Sequence, residues 1–143
     1  MLHTTPQSVI NAVRAIPLFS ACNAKELREV ARLGTTTTIQ AGKTITKEGT
    51  VGRELLVVLS GKATCRVKGK RLASFGPGDF FGEMSLLDSG LRSATVVADS
   101  DMELLVLTTR EFRSLLETSP TIAWKLLVAM AARLRSADEY FSY

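Results

Sequence analysis

Apolar positions along this chain follow two different periods, and the change from one to the other comes at Thr35. Before it, Ser8 to Ala15 reads as a short helix that must end ahead of Pro17. Asn23 is placed to cap a second helix over 24–33, where Leu27, Val30 and Leu33 recur at helical spacing and Gly34 supplies the stop. From Thr35 the texture becomes β-branched and alternating. Short strands are predicted over 35–40, 43–48, 53–61, 62–70, 71–76, 94–100 and 102–109. Glycines punctuate them at Gly42, Gly49, Gly52, Gly61, Gly69, Gly76 and Gly78. Helical spacing then returns. Thr109 is expected to cap a helix over 110–118, and Ser119-Pro120 opens the last one. In that last helix Ala123, Leu127, Met130, Leu134, Ala137 and Phe141 form a narrow stripe at alternating spacings of 4 and 3. The stripe predicts a helix lying on the strand layer. The sharper alternative is a partner-facing seam, giving a homodimer or a lid.

Helices, then many short strands with glycine corners, then helices again define an α+β class. The expected architecture is an antiparallel β-roll of the double-stranded β-helix or jelly-roll type, flanked by N-terminal and C-terminal helices. The expected organisation is one domain over 1–143, with helices at 8–33, the roll at 35–108 and C-terminal helices at 109–140. Composition agrees: 45% hydrophobic and 22% charged residues make an ordinary globular balance. The net charge of +4 is spread over scattered lysines and arginines, so no nucleic-acid arm is expected and solubility is the simplest reading. Cys22 and Cys65 make neither a CxxC pair nor a zinc spacing and read as reduced thiols of a cytoplasmic protein. Cys65 alternates with Ala63 and Val67, a place for a small buried thiol. No signal peptide and no bilayer-spanning apolar run are recognised.

The chemistry concentrates in residues 80–96. Gly76-Pro77-Gly78-Asp79 makes a turn, and Gly82 lets the backbone approach something closely. Glu83 to Leu87 suit a helical turn or two whose first amides can hold an anion. Arg92 then enters an apolar strand, where a guanidinium wants a bidentate anionic partner. Two partners fit. Glu83 can neutralise Arg92 in a structural pair, or both can serve one ligand that carries an anionic group and a hydroxyl.

The segment resembles the phosphate cassette of the cyclic-nucleotide-binding domain family. There, Phe-Gly-Glu-aliphatic-small-Leu precedes Arg-small-Ala-Thr-Val, as Phe81–Leu86 precedes Arg92–Val96 across a five-residue spacer. A second family stretch follows the same order. Gly49, Gly52 and Gly61 flank the four-residue apolar strand core expected between them. The resemblance runs from Ile16 to the final helix and places the cassette at 81–96. It implies cyclic AMP or cyclic GMP as ligand and no cofactor. Arg92 would pair with the exocyclic phosphate oxygens and Glu83 with the ribose 2′-hydroxyl. Amides of Gly82, Met84 and Ser85 would complete the shell, with Phe81, Ser93 and Ala94 beside it. The base would lie against Val67 and under the final helix, where Arg133, Arg135 and Asp138 are candidate contacts that read as solvated. Leu91 stands where proline is frequent, which should loosen the loop slightly. Ser93 leaves the base preference open, with a lean to cyclic AMP.

Catalysis is not expected. His3 is the single histidine, and no Walker loop or GxGxxG fingerprint occurs. Two other readings compete with a cyclic-nucleotide sensor that signals through its C-terminal helix. One is a roll without ligand that serves as an interaction module, in which case Glu83 or Arg92 should be replaced. The other is the sensor part of a transcription regulator, which needs a recognition helix for which this chain has no room.

Overall fold

The computed structural model describes residues 6–82 and 90–141, with side chains described over 7–82 and 90–135. Two helices lead in: α1 (Pro6–Arg14) and, after a 3-10 turn at Pro17–Phe19, α2 (Ala24–Leu33). Eight strands follow: β1 (Thr35–Ile39), β2 (Thr44–Thr46), β3 (Glu54–Ser60), β4 (Ala63–Val67), β5 (Lys70–Phe75), β6 (Phe80–Phe81), β7 (Thr95–Ala98) and β8 (Met102–Thr108). Helices α3 (Thr109–Thr118) and α4 (Pro120–Phe141) close the chain. The strands make two four-stranded sheets, ordered β1-β8-β3-β6 and β2-β7-β4-β5, with every pairing antiparallel. This is the expected roll with flanking helices.

The apolar run of β3 shows why the layers stack as they do. Leu55 and Val57 point to the helices, while Leu56 and Val58 point between the sheets. The neighbouring β8 does the same, with Leu105 and Leu107 on the helix side and Met102 and Leu104 inside the roll. A strand buried on both faces loses the polar half of its alternation. Each such side chain contributes about 1.5–3 kcal/mol of burial. The second sheet keeps its alternation: Ala63, Cys65, Val96 and Ala98 are buried, whereas Arg66 faces out.

Helix α2 begins as its sequence demands. Asn23 Oδ1 accepts from the Glu26 amide at 2.8 Å and the Glu26 carboxylate accepts from the Asn23 amide at 2.9 Å. Cys22, half-buried beside this cap, has its thiol pushed up to about 11, first by burial and then by the Glu26 charge, against a lowering hydrogen bond with Ser119.

Four expectations change. The cap of α3 is Thr108, whose Oγ1 accepts from the Glu111 amide at 3.2 Å. Thr109 is instead the first helical residue, its amide and hydroxyl both donating to the Arg53 carbonyl. Phe80–Phe81 is a short strand in its own right, paired with Leu56 and Val57 of β3. The strand expected over 94–100 is confined to Thr95–Ala98, so Arg92 lies three residues ahead of β7.

The fourth change concerns α4. Its packed face is Ile122, Leu126, Ala129 and Met130, against the 3-10 turn and α3, with Leu127 and Leu134 of the expected stripe 62% and 65% exposed. A helix that is apolar nearly all round from Ile122 to Ala132 does not select a face by periodicity. Its entry, set by Ser119 Oγ accepting from the Ile122 amide, selects it. Side chains of Ala137 and Phe141 lie outside the described ones.

Candidate functional site

Arg92 is the organising group. It is only 9% exposed, although it belongs to no regular strand. Its backbone is clamped into the loop before β3: the Arg92 amide donates to the Thr50 carbonyl at 2.7 Å, and the Gly49 amide donates to the Arg92 carbonyl at 3.0 Å. A bridge between Val51 and Leu91 extends this pairing. The two glycine-marked stretches of the sequence, some forty residues apart, are therefore neighbours through main-chain bonds.

The guanidinium turns inward. Arg92 Nη1 donates to the Glu54 carbonyl at 3.0 Å and to the Gly82 carbonyl at 3.3 Å. Gly82 sits at φ +91, and a Cβ there would overlap Arg92 Nη1 and stand 2.7 Å from the Glu54 oxygen. Only glycine meets both demands, since the left-handed region is costly for other residues and the space is already occupied.

The register of the second sheet adds an apolar wall. Arg66 of β4 pairs with Thr95 of β7, so the end of β4 at half-buried Val67 comes beside the chain just after Arg92. Half-buried Ala94 packs on the interior core together with Ile45, Ala73 and Phe75. Phe75 in turn stacks on Phe81 with ring centroids 5.1 Å apart. Thr46 Oγ1 holds the loop by donating to the Ala94 carbonyl at 3.3 Å. Ser93 is exposed.

Of the residues singled out in the sequence, Phe81, Gly82, Arg92, Ser93, Ala94 and Val67 thus lie around one end of the roll, with the Phe81 ring committed to the interior. Glu83, Met84 and Ser85 lie outside the described residues, as do the side chain of Asp138 and all of His3. Arg133 departs from its expected solvated position. Its guanidinium lies 4.4 Å from the Phe80 ring centroid and donates to the Phe80 carbonyl at 2.5 Å, while Arg135 is exposed. The Glu54 carbonyl, Ala73, Phe75 and Ile45 were not legible as site elements, because a main-chain acceptor leaves no residue signature and ordinary strand residues look like core. Among the described residues, no group of three or more His, Cys, Asp or Glu could hold a metal ion, and no helix is long and apolar enough to cross a membrane.

Two four-stranded antiparallel sheets flanked by helices, with a buried arginine beside a left-handed glycine at one end, define a helix-flanked β-roll. The family model of the cyclic nucleotide-binding domain matches residues 36–119, more than half of the chain, and the chain belongs to that family. It is 44% identical over 102 residues to the cyclic AMP receptor protein of Thermus thermophilus, covering 68% of this chain and 47% of that protein. It is 35% identical over 111 residues to a cyclic nucleotide-gated potassium channel of Rhizobium etli, covering 78% of this chain and 31% of the channel. The crystal structure of the Thermus thermophilus catabolite activator protein superimposes with a TM-score of 0.81 at 38% identity, over 87% of this chain and 61% of that one. The chain thus spans less than half the length of these two curated relatives.

Proposed function

We propose that the chain is a sensor domain that binds a cyclic nucleotide at the Arg92 end of its roll and passes the binding on through α4. The observation that carries this is the buried Arg92 guanidinium, held by the Glu54 and Gly82 carbonyls beside a glycine that no other residue can replace. Arg92 would take the cyclic phosphate, Glu83 the ribose hydroxyl, and the amides of Gly82, Met84 and Ser85 the remaining oxygens. Ser93 and Ala94 would flank the phosphate, Phe81 would brace the cassette from the interior, and Val67 would meet the base. The likeness to a protein named as a cyclic AMP receptor supports cyclic AMP over cyclic GMP. The role is binding without turnover, in the cytoplasm, with the output supplied by another part of a longer chain or by a partner.

A second copy of the chain is the partner that the outer face of α4 suits. Trp124, Leu127 and Leu134 are 67%, 62% and 65% exposed at spacings of three and seven, a seam suited to helix pairing. Calorimetric titration of the full chain with cyclic AMP and cyclic GMP tests the binding reading. Saturable binding is expected, and Arg92→Ala should weaken it by roughly 2–5 kcal/mol, as when a buried charge partner is truncated. Absence of heat at millimolar nucleotide overturns the proposal, and unchanged affinity in Arg92→Ala overturns the site.

A further inference from the structure

The face of the second sheet that looks away from the roll interior carries an arrangement that the cyclic-nucleotide reading does not use. Residues 62–71 contain five cations and no acid: Lys62, Arg66, Lys68, Lys70 and Arg71. Arg66 of β4 and Arg71 of β5 are direct register partners. Like charges facing each other across a strand pair are unfavourable, and nothing in the roll requires them there. At the hairpin tip Lys68 adopts φ 52, a left-handed conformation that suits Asn or Gly better, with its amide held by the Glu48 carboxylate at 3.1 Å.

Three of these cations, Lys62, Arg66 and Arg71, line an open groove of about 530 Å³ together with Thr64, Ser74, Phe75 and Asp99. Asp99 shares the groove, but its Oδ2 is engaged by the Thr64 hydroxyl at 2.6 Å. Arg71 leans on the Ser74 hydroxyl. Among the described residues, Lys62 and Arg66 have no ion-pair partner. One carboxylate thus stands against three cations in a concave polar setting.

We infer that this outer groove is a second anion site, separate from the Arg92 site, built for a compact polyphosphate group. The two guanidinium forks would take adjacent phosphoryl groups, Lys62 would add a point charge, and Ser74, whose hydroxyl accepts from Arg71, would donate its own proton. A bound polyanion would relieve the Arg66–Arg71 repulsion. Three cations gathered on one open groove suit a compact ligand better than a bilayer, which a wider basic face would be needed to hold. The bulge that leaves Leu72 without a register partner on edge strand β5 works against an extended acidic peptide adding as a further strand.

Inorganic tripolyphosphate is the probe, titrated calorimetrically into the full chain at low ionic strength. Saturable binding is expected, weakened about tenfold or more in Arg66→Gln/Arg71→Gln. The double variant Lys25→Gln/Arg28→Gln, which removes the same charge from exposed positions on α2, should bind as the wild type does. Without anion, Arg66→Gln should melt no lower than the wild type, since it removes a repulsion. Absence of saturation at millimolar tripolyphosphate overturns the inference, as does equal loss in the α2 variant, which would reduce the effect to net charge. Displacement of tripolyphosphate by cyclic AMP would assign it to the Arg92 site instead, and displacement by an oligoglutamate peptide that binds more tightly would reassign the groove to an acidic polypeptide. Cyclic nucleotide affinity unchanged in Arg66→Gln/Arg71→Gln supports two distinct sites.

Discussion

At the scale of single residues, what surrounds a polar or reactive group decides the role open to it. Arg92 is buried with its guanidinium on main-chain oxygens, and Gly82 is held by a φ and a contact that both exclude a Cβ. Cys22 shows the opposite case, a nucleophile disarmed by its environment. With its pKa raised from 9.0 to about 11, it stays a neutral thiol in the fold between those pH values, where an unfolded chain would ionise it. A raised pKa stabilises the protonated fold. That contribution is complete below about pH 9 and is lost as pH climbs toward about 11. Chemical denaturation of the wild type and Cys22→Ala across this range should show the wild type losing stability more steeply. Equal slopes would remove the claim, and at pH 8 the wild-type thiol should react with an aromatic disulfide reagent more slowly than free cysteine does.

At the scale of elements, local signals were read well where one side chain decides the outcome. The Asn23 cap and Gly34 stop of α2 agree with its sequence to the residue, because a short polar side chain can satisfy helix amides at only one place. The start of α3 was misread by one residue, since Thr108 and Thr109 are equally able to cap. The choice fell to Thr108 because the Arg53 carbonyl engages Thr109. Thr108→Ala should cost about 1 kcal/mol in urea denaturation. Thr109→Ala should cost about half that, since its amide keeps the Arg53 bond. A reversed order would show that the cap assignment is wrong. Strand β6 leaves no trace in the sequence pattern because two residues carry no period. It exists because β3 offers an edge to Phe80 and Phe81.

At the scale of the whole molecule, α4 is the element with two possible lives. One face joins the core through Ile122 and Leu126, and Arg133 ties it to β6, while Trp124, Leu127 and Leu134 remain outside. The mass of the full chain in solution, measured with and without cyclic AMP, should correspond to a dimer. Leu127→Glu/Leu134→Glu should shift it to a monomer with its melting temperature kept within about 3 °C. A wild-type monomer in both conditions rejects the seam. What the sequence determined unaided was the succession of helices, short strands and helices, the sheet-forming stretch and the motif that marks the family. Those depend on spacing, on capping chemistry and on residue types whose roles are local. Only the tertiary structure decided which face of α4 is buried, that Gly49–Val51 clasps Leu91–Arg92, and that Arg66 confronts Arg71. Each of those depends on groups distant in the chain meeting through main-chain bonds or register, and such meetings leave no mark on the side-chain pattern.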